Sequence, residues 1–139
     1  MKIKEIMTTD VKTISSDDSI SEAANIMKTL DIGAVPVVQD NMPIGIVTDR
    51  DIIIRGVATG KNSKDAISSI MTTEVITISP DVDVHEAADI MAANQIRRLP
   101  IVQDKQLVGI VAIGDLAVET IFENEAGEAL HNISMGVKH

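Results

Sequence analysis

The stretch IMTTDVKTIS (6–15) is written again as IMTTEVITIS (70–79). With Ile6 placed on Ile70, SEAANIM (21–27) falls on HEAADIM (85–91) and VPVVQD (35–40) on LPIVQD (99–104). Further on, PIGIVTDRDI (43–52) falls on LVGIVAIGDL (107–116). No gap is needed, and about half of the paired positions are identical, so the chain is a tandem duplication. The first repeat takes residues 1–60, with an N-terminal segment and the start of a linker. The second takes 61–120, and 121–139 form a tail outside the duplication.

Each copy has the same internal grammar. The β-branched segments VKTI (11–14) and VITI (75–78) predict short strands. Ser19 with Glu22, and Asp83 with Glu86, fit capping boxes that open helices. Ile20, Ala23, Ala24, Met27 and Leu30 then keep helical spacing, as do Val84, Ala87, Ala88 and Met91. AVPVV and RLPIV predict strands whose proline suits an edge or a strand start. About five turn residues, QDNMP in one copy and QDKQ in the other, lead into a second apolar strand, giving an antiparallel hairpin. A last helix begins near Asp49 and near Gly114. The expected fold is α+β, with tandem β-α-β-β-α units packed sheet to sheet about a pseudo-twofold axis. A 60-residue unit alone buries too little surface to be comfortably stable, and clefts between two such units favour ligands.

Composition narrows the function classes. The 139 residues carry a formal charge of −9, with 45% hydrophobic residues, no cysteine and one aromatic residue, Phe122. The absence of cysteine excludes disulfides, thiolate metal sites and a cysteine nucleophile. The negative charge argues against nucleic acid, whose affinity comes largely from neutralised phosphates. The lack of aromatics removes base stacking as a binding device. No apolar run reaches the roughly 20 residues of a membrane span, and no signal peptide is read, so the cytoplasm is the expected location. The histidines at 85, 131 and 139 have no metal-ligand spacing, and no nucleophile–base–acid set is visible, so no enzyme and no catalytic cofactor are expected.

The chemistry concentrates in GIVTDRD (45–51) and its echo GIVAIGD (109–115). A strand that ends as a helix begins leaves free backbone N–H groups pointing outward, a natural phosphate site. Thr48 adds a hydroxyl donor, and Asp51 can accept from two neighbouring hydroxyls, as on a ribose. Gly45 permits a turn or a close approach. The echo keeps Asp115 but has Ala112 in place of the threonine. A lost hydrogen bond to a charged group is worth roughly 1.5–3 kcal/mol, tenfold to a hundredfold in affinity, so the Asp51 motif is expected to be the stronger. Arg97 and Arg98 stand where the first copy has Gly33 and Ala34, and guanidinium groups suit phosphates. The structural alternatives are plain. Thr48 fits a helix N-cap, both aspartates stabilise helix starts without any ligand, and Met7, Met27, Met71 and Met91 fit packing positions.

The order of elements, the h-P-h-V-x-D strand and the closing G-h-V-T-x-x-D resemble the CBS domain, whose paired form is the Bateman module. The resemblance covers Met1 to about Thr120. It implies a regulatory module for adenosine-containing ligands (AMP, ADP, ATP or S-adenosylmethionine) in clefts between the repeats. It implies phosphate contact at Thr48 and ribose contact at Asp51 and Asp115. Aliphatic residues would clamp the base: Thr13, Ile14 and Ile32 from the first copy, Thr77, Ile78 and Ile96 from the second, with Ile46 and Ile110 in the motif strands. The family geometry would make each site a hybrid, the Asp51 site taking Thr77, Ile78, Ile96 and Arg97, the Asp115 site taking Thr13, Ile14 and Ile32. Arg98 would reach the region between them. A homodimer and an unidentified effector protein are the expected partners. The alternative is a structural, dimerising interaction module that binds no nucleotide.

Overall fold

A computed structural model describes residues 1–118 together with Ala129 and Ile133. The chain is α+β and divides into two compact units whose limits cross the repeats. A continuous unit runs Lys12–Val75. An interrupted unit joins Met1–Val11 to Ile76–His139. The duplicated segment is therefore not the packed segment: each repeat's opening residues belong with the other repeat.

In the continuous unit, β1 (Ile14–Ser15) runs parallel to β2 (Ala34–Gln39), which pairs antiparallel with β3 (Met42–Thr48). Helix α1 (Ile20–Leu30) follows β1, and Ser19 Oγ caps it by accepting from the Glu22 amide at 3.1 Å. Ile20, Ala23 and Met27 are buried in this unit's core; Leu30 and Ala24 are exposed, so the apolar stripe is narrower than its spacing suggests. A short α2 (Asp49–Asp51) continues as a π-helix, Ile52–Gly56, and a 3₁₀ turn, Val57–Thr59.

The interrupted unit repeats the plan with α3 (Val84–Asn94), β4 (Arg98–Gln103), β5 (Gln106–Ala112) and α4 (Ile113–Val118). The four apolar positions of α3 read from helical spacing, Val84, Ala87, Ala88 and Met91, are all buried. Asp83 caps α3 differently from the expected box. Its carboxylate accepts from the His85 amide at 2.9 Å rather than engaging Glu86, and also lies 3.6 Å from the Met1 ammonium. Ala129 and Ile133, both helical and 2% exposed, complete this core, so these two tail positions pack within their own unit. Ile121, Phe122 and Gly127 lie outside the described residues.

Three expectations are corrected. The VKTI and VITI strands shrink: only Ile14–Ser15 pairs in one copy, and Ile78 makes a single parallel bridge to Ile101 in the other. The chain passes between units at Val11/Lys12 and Val75/Ile76, so only the last residues of each segment find a ladder. The proline strand β2 is central, not an edge. The parallel ladder tolerates it because it uses the proline's carbonyl: in the interrupted unit the Ile78 amide donates to Pro100 O, and the Val102 amide to Ile78 O, so the missing N–H is never needed. The hairpins close over two residues, not five. Asp40–Asn41 and Asp104–Lys105 all have φ between 51° and 63°, as a type I′ turn requires.

On the outer edge of each hairpin lies a borrowed segment. The Thr72 amide donates to Ile46 O and the Ile46 amide to Thr72 O, both 2.9 Å; Thr8 and Ile110 repeat this, also at 2.9 Å. The neighbouring glycine makes the approach possible. A Cβ at Gly109 would stand 2.6 Å from Met7 Sδ and 3.0 Å from Thr8 O; at Gly45 the distances are 2.8 Å to Met71 Sδ and 2.9 Å to Thr72 O. The methionine can swing aside, but the strand carbonyl cannot without breaking its pairing. Gly109→Ala is therefore expected to destabilise by about 1–3 kcal/mol, read as a lower urea midpoint.

Candidate functional site

The strand-to-helix turn at Thr48 is a reciprocal box. Thr48 Oγ1 accepts from the Asp51 amide at 3.0 Å, and Asp51 Oδ2 accepts from the Thr48 amide at 3.0 Å. Two amide donors of the helix start are thus satisfied by each other's side chains. Asp51 is 8% exposed, the one buried charged residue among those described. Its second oxygen, Oδ1, has a loose contact with Arg55 Nε at 3.8 Å. Thr48 Oγ1 uses a lone pair in the box and keeps its proton for another acceptor. The turn therefore presents one hydroxyl donor and one lightly engaged carboxylate oxygen.

The echo keeps half of this. Asp115 Oδ2 accepts from the Ala112 amide at 2.7 Å, but Ala112 has no oxygen to return to the Asp115 amide. Restoring it, Ala112→Thr, is expected to stabilise the ligand-free protein by about 0.5–2 kcal/mol, the usual worth of an N-cap side chain. Thermal denaturation without ligand reads this directly.

The remaining candidates fall into two sets, one per unit. In the continuous unit Ile46 pairs with Pro36 and Ala34 with Thr48, while the Asp49 amide donates to Gly33 O at 3.0 Å. This brings Ile32, exposed, and Ile46, half-buried, to the strand ends that carry Thr48 and Asp51. Thr13 is half-buried beside Ile14, whose side chain is 4% exposed and belongs to the core. In the interrupted unit Ile78 is likewise a core residue, Thr77 is exposed, and Ile96 and Ile110 are half-buried.

The arginines have a position that spacing alone did not give. Arg98 is the strand partner of Ala112, and the Ile113 amide donates to Arg97 O at 2.8 Å. Both guanidinium side chains are exposed. Within their own unit they border the Asp115 motif, and Arg98 shares a sheet face with the position that lost its hydroxyl.

Arg55 also escaped the sequence reading, although its spacing four residues after Asp51 on a helical run was a usable signal. So did a shallow depression of about 360 Å³ lined by Asp49, Arg50, Ile53 and Ile54. No described helix is long and apolar enough to cross a membrane.

The sequence profile of the CBS domain matches residues 3–57 and again 67–119. The chain belongs to the CBS-domain family. It is a CBS-domain pair, and such pairs are regulatory modules. It is 46% identical over 132 residues to the CBS domain-containing protein YhcV of Bacillus subtilis, covering 95% of this chain and 94% of that one. Among solved structures, it superposes on a putative acetoin utilization protein, AcuB, of Vibrio cholerae with a TM-score of 0.80 at 29% identity, covering 92% and 96% of the two chains. It also superposes on the CBS domain pair of protein MJ0100 with a TM-score of 0.77 at 33% identity, covering 85% and 98%. That pair was solved in complex with 5′-methylthioadenosine and S-adenosyl-L-methionine. The CBS match spans both motifs, 45–51 and 109–115.

Proposed function

We propose that this CBS-domain pair senses an adenosine-containing ligand, AMP, ADP, ATP or S-adenosylmethionine, and passes occupancy to a partner protein. The observation that carries the reading is the Thr48–Asp51 box. It holds a buried carboxylate with one lightly engaged oxygen for a ribose hydroxyl, next to the Thr48 hydroxyl donor. The amides of residues 48–51, expected to be free for phosphate, all have partners within the unit, so the hydroxyl is the phosphate donor this turn offers. The adenosine-derived ligands of the MJ0100 pair support the ligand class. Asp115 is the matching ribose acceptor of the second motif, and Arg97 and Arg98 supply cationic phosphate contacts. Arg98 stands opposite Ala112, so a guanidinium partly offsets the missing hydroxyl. Thr13, Ile32, Ile46, Thr77, Ile96 and Ile110 are the proposed contacts to the base, with Ile14 and Ile78 backing them from the two cores.

The test uses the composition. With no tryptophan or tyrosine the protein barely absorbs at 280 nm, so a copurified adenine compound stands out near 260 nm. Calorimetric titration with the four ligands should give saturable binding to at least one. Absence of binding by all four, with no copurified chromophore, sinks the proposal.

A second reading, a dimerising module that takes no nucleotide, has one observation in its favour. Ile53, Ile54 and Val57 lie 56%, 50% and 66% exposed on one helical run. An isologous homodimer through this face would bury them. It predicts self-association by sedimentation that Ile53→Asp abolishes and that nucleotide leaves unchanged.

A further inference from the structure

The two borrowed segments are copies of one another: IKEIMTT (3–9) and ISSIMTT (67–73). Their seats are copies as well, bond for bond. Ile3 donates its amide to Val82 O at 2.9 Å, as Ile67 does to Asp18 O at 2.8 Å. Lys4 donates to Pro80 O and Ser68 to Ser16 O, both at 3.0 Å. The Val84 amide reaches Met1 O, as the Ile20 amide reaches Asp65 O, both at 3.0 Å. Ile3 and Ile67 are both fully buried. The first segment adds charge: Lys4 Nζ lies 3.2 Å and Lys2 Nζ 3.6 Å from Asp81, and the Lys4 hydrogen bond and charge hold the Asp81 carboxyl below its ordinary range.

The seats differ in how far the chain must travel to fill them. Thr72 docks on Ile46, a near neighbour in sequence. Thr8 docks on Ile110, and the whole continuous unit intervenes. A longer closed loop costs more entropy, and during synthesis the first segment emerges long before its seat does. The connection Thr9–Asp10 is exposed, and neither residue belongs to a strand or helix.

We propose that the segment Met1–Thr9 is exchangeable between chains, docking on the β5 edge of a second copy of this protein and closing a reciprocal dimer. Every hydrogen bond, the Ile3 burial and the Asp81 ion pairs are the same whether the segment comes from its own chain or another. Such exchange is a low-cost route to a dimer. Only the effective concentration of the tethered segment, on the order of millimolar for short tethers and lower for long ones, opposes it. Refolding at high protein concentration is where the exchanged form accumulates. This proposal is independent of nucleotide binding.

The chain has no cysteine, so the test is clean. Thr8→Cys and Ile110→Cys are made separately in the full chain, one carrying a mass tag. They are unfolded together in guanidinium chloride, refolded at increasing concentration and oxidised. The expected product is a disulfide joining residue 8 of one chain to residue 110 of the other, identified by peptide mass and increasing with refolding concentration. Mixing the two already folded should give far less of it. The double variant, Thr8→Cys with Ile110→Cys, refolded dilute, reports whether the pair can bond within one chain. Unmodified chain gives a second readout, a dimer by light scattering that survives dilution. If the cross-chain disulfide stays at the level of the unfolded-state control and concentrated refolding returns only the untreated species, the proposal is overturned.

Discussion

Ile3→Ala is expected to lower stability by about 2–5 kcal/mol, the cost of emptying a fully buried aliphatic site. A change this near the chain start ordinarily does little, because terminal residues are poorly ordered unless tied down. Here Ile3 is 0% exposed and packs in one cluster with Val84, Met91, Leu99, Leu116 and Ile133. Its backbone is tied by the hydrogen bond that its amide donates to Val82 O. Chemical denaturation should show a lower midpoint with little change of slope. Lys4→Ala, one residue on, removes only an exposed ion pair and should leave the midpoint close to the parent's. Equal effects of the two would mean that the first segment is not part of the core.

At Asp51 two substitutions separate structure from recognition. Asp51→Ala removes the acceptor of the Thr48 amide and leaves a half-buried donor unpaired. It should cost about 1–3 kcal/mol of stability and abolish nucleotide binding measurable by calorimetry. Asp51→Asn keeps an oxygen for that amide, so stability should change little. It loses the charge that strengthens a ribose contact, and affinity should fall roughly tenfold to a hundredfold. An Asp51→Asn variant that binds as tightly as the parent would assign the aspartate to the helix start alone.

The duplication, the helices and the motif turns were legible because their signals are local or periodic. Ser19 three residues before Glu22, and Val84, Ala87, Ala88 and Met91 on one face, need no knowledge of distant partners. Thr48 was readable both as a cap and as a ligand donor, and the observed box is compatible with both. What escaped depends on long-range pairing. Nothing local says that Thr8 docks on Ile110, that Pro36 sits in a central strand, or that Arg98 faces Ala112. The turn length was misread because Asp104–Lys105 lacks the glycine that usually marks a type I′ turn.

The interrupted unit has a mechanical consequence. Residues near both extremes of the described chain belong to it, and the continuous unit is an insertion within it. A tensile load applied between Met1 and α4 acts first across the interrupted unit, peeling open the antiparallel Thr8–Ile110 pairing from the end where both loaded segments leave it and drawing Ile3 from its socket. Lys12–Val75 bears load only after that clasp has opened. Stretched from these two points, the molecule should yield in a fixed order, the interrupted unit first and the insertion second.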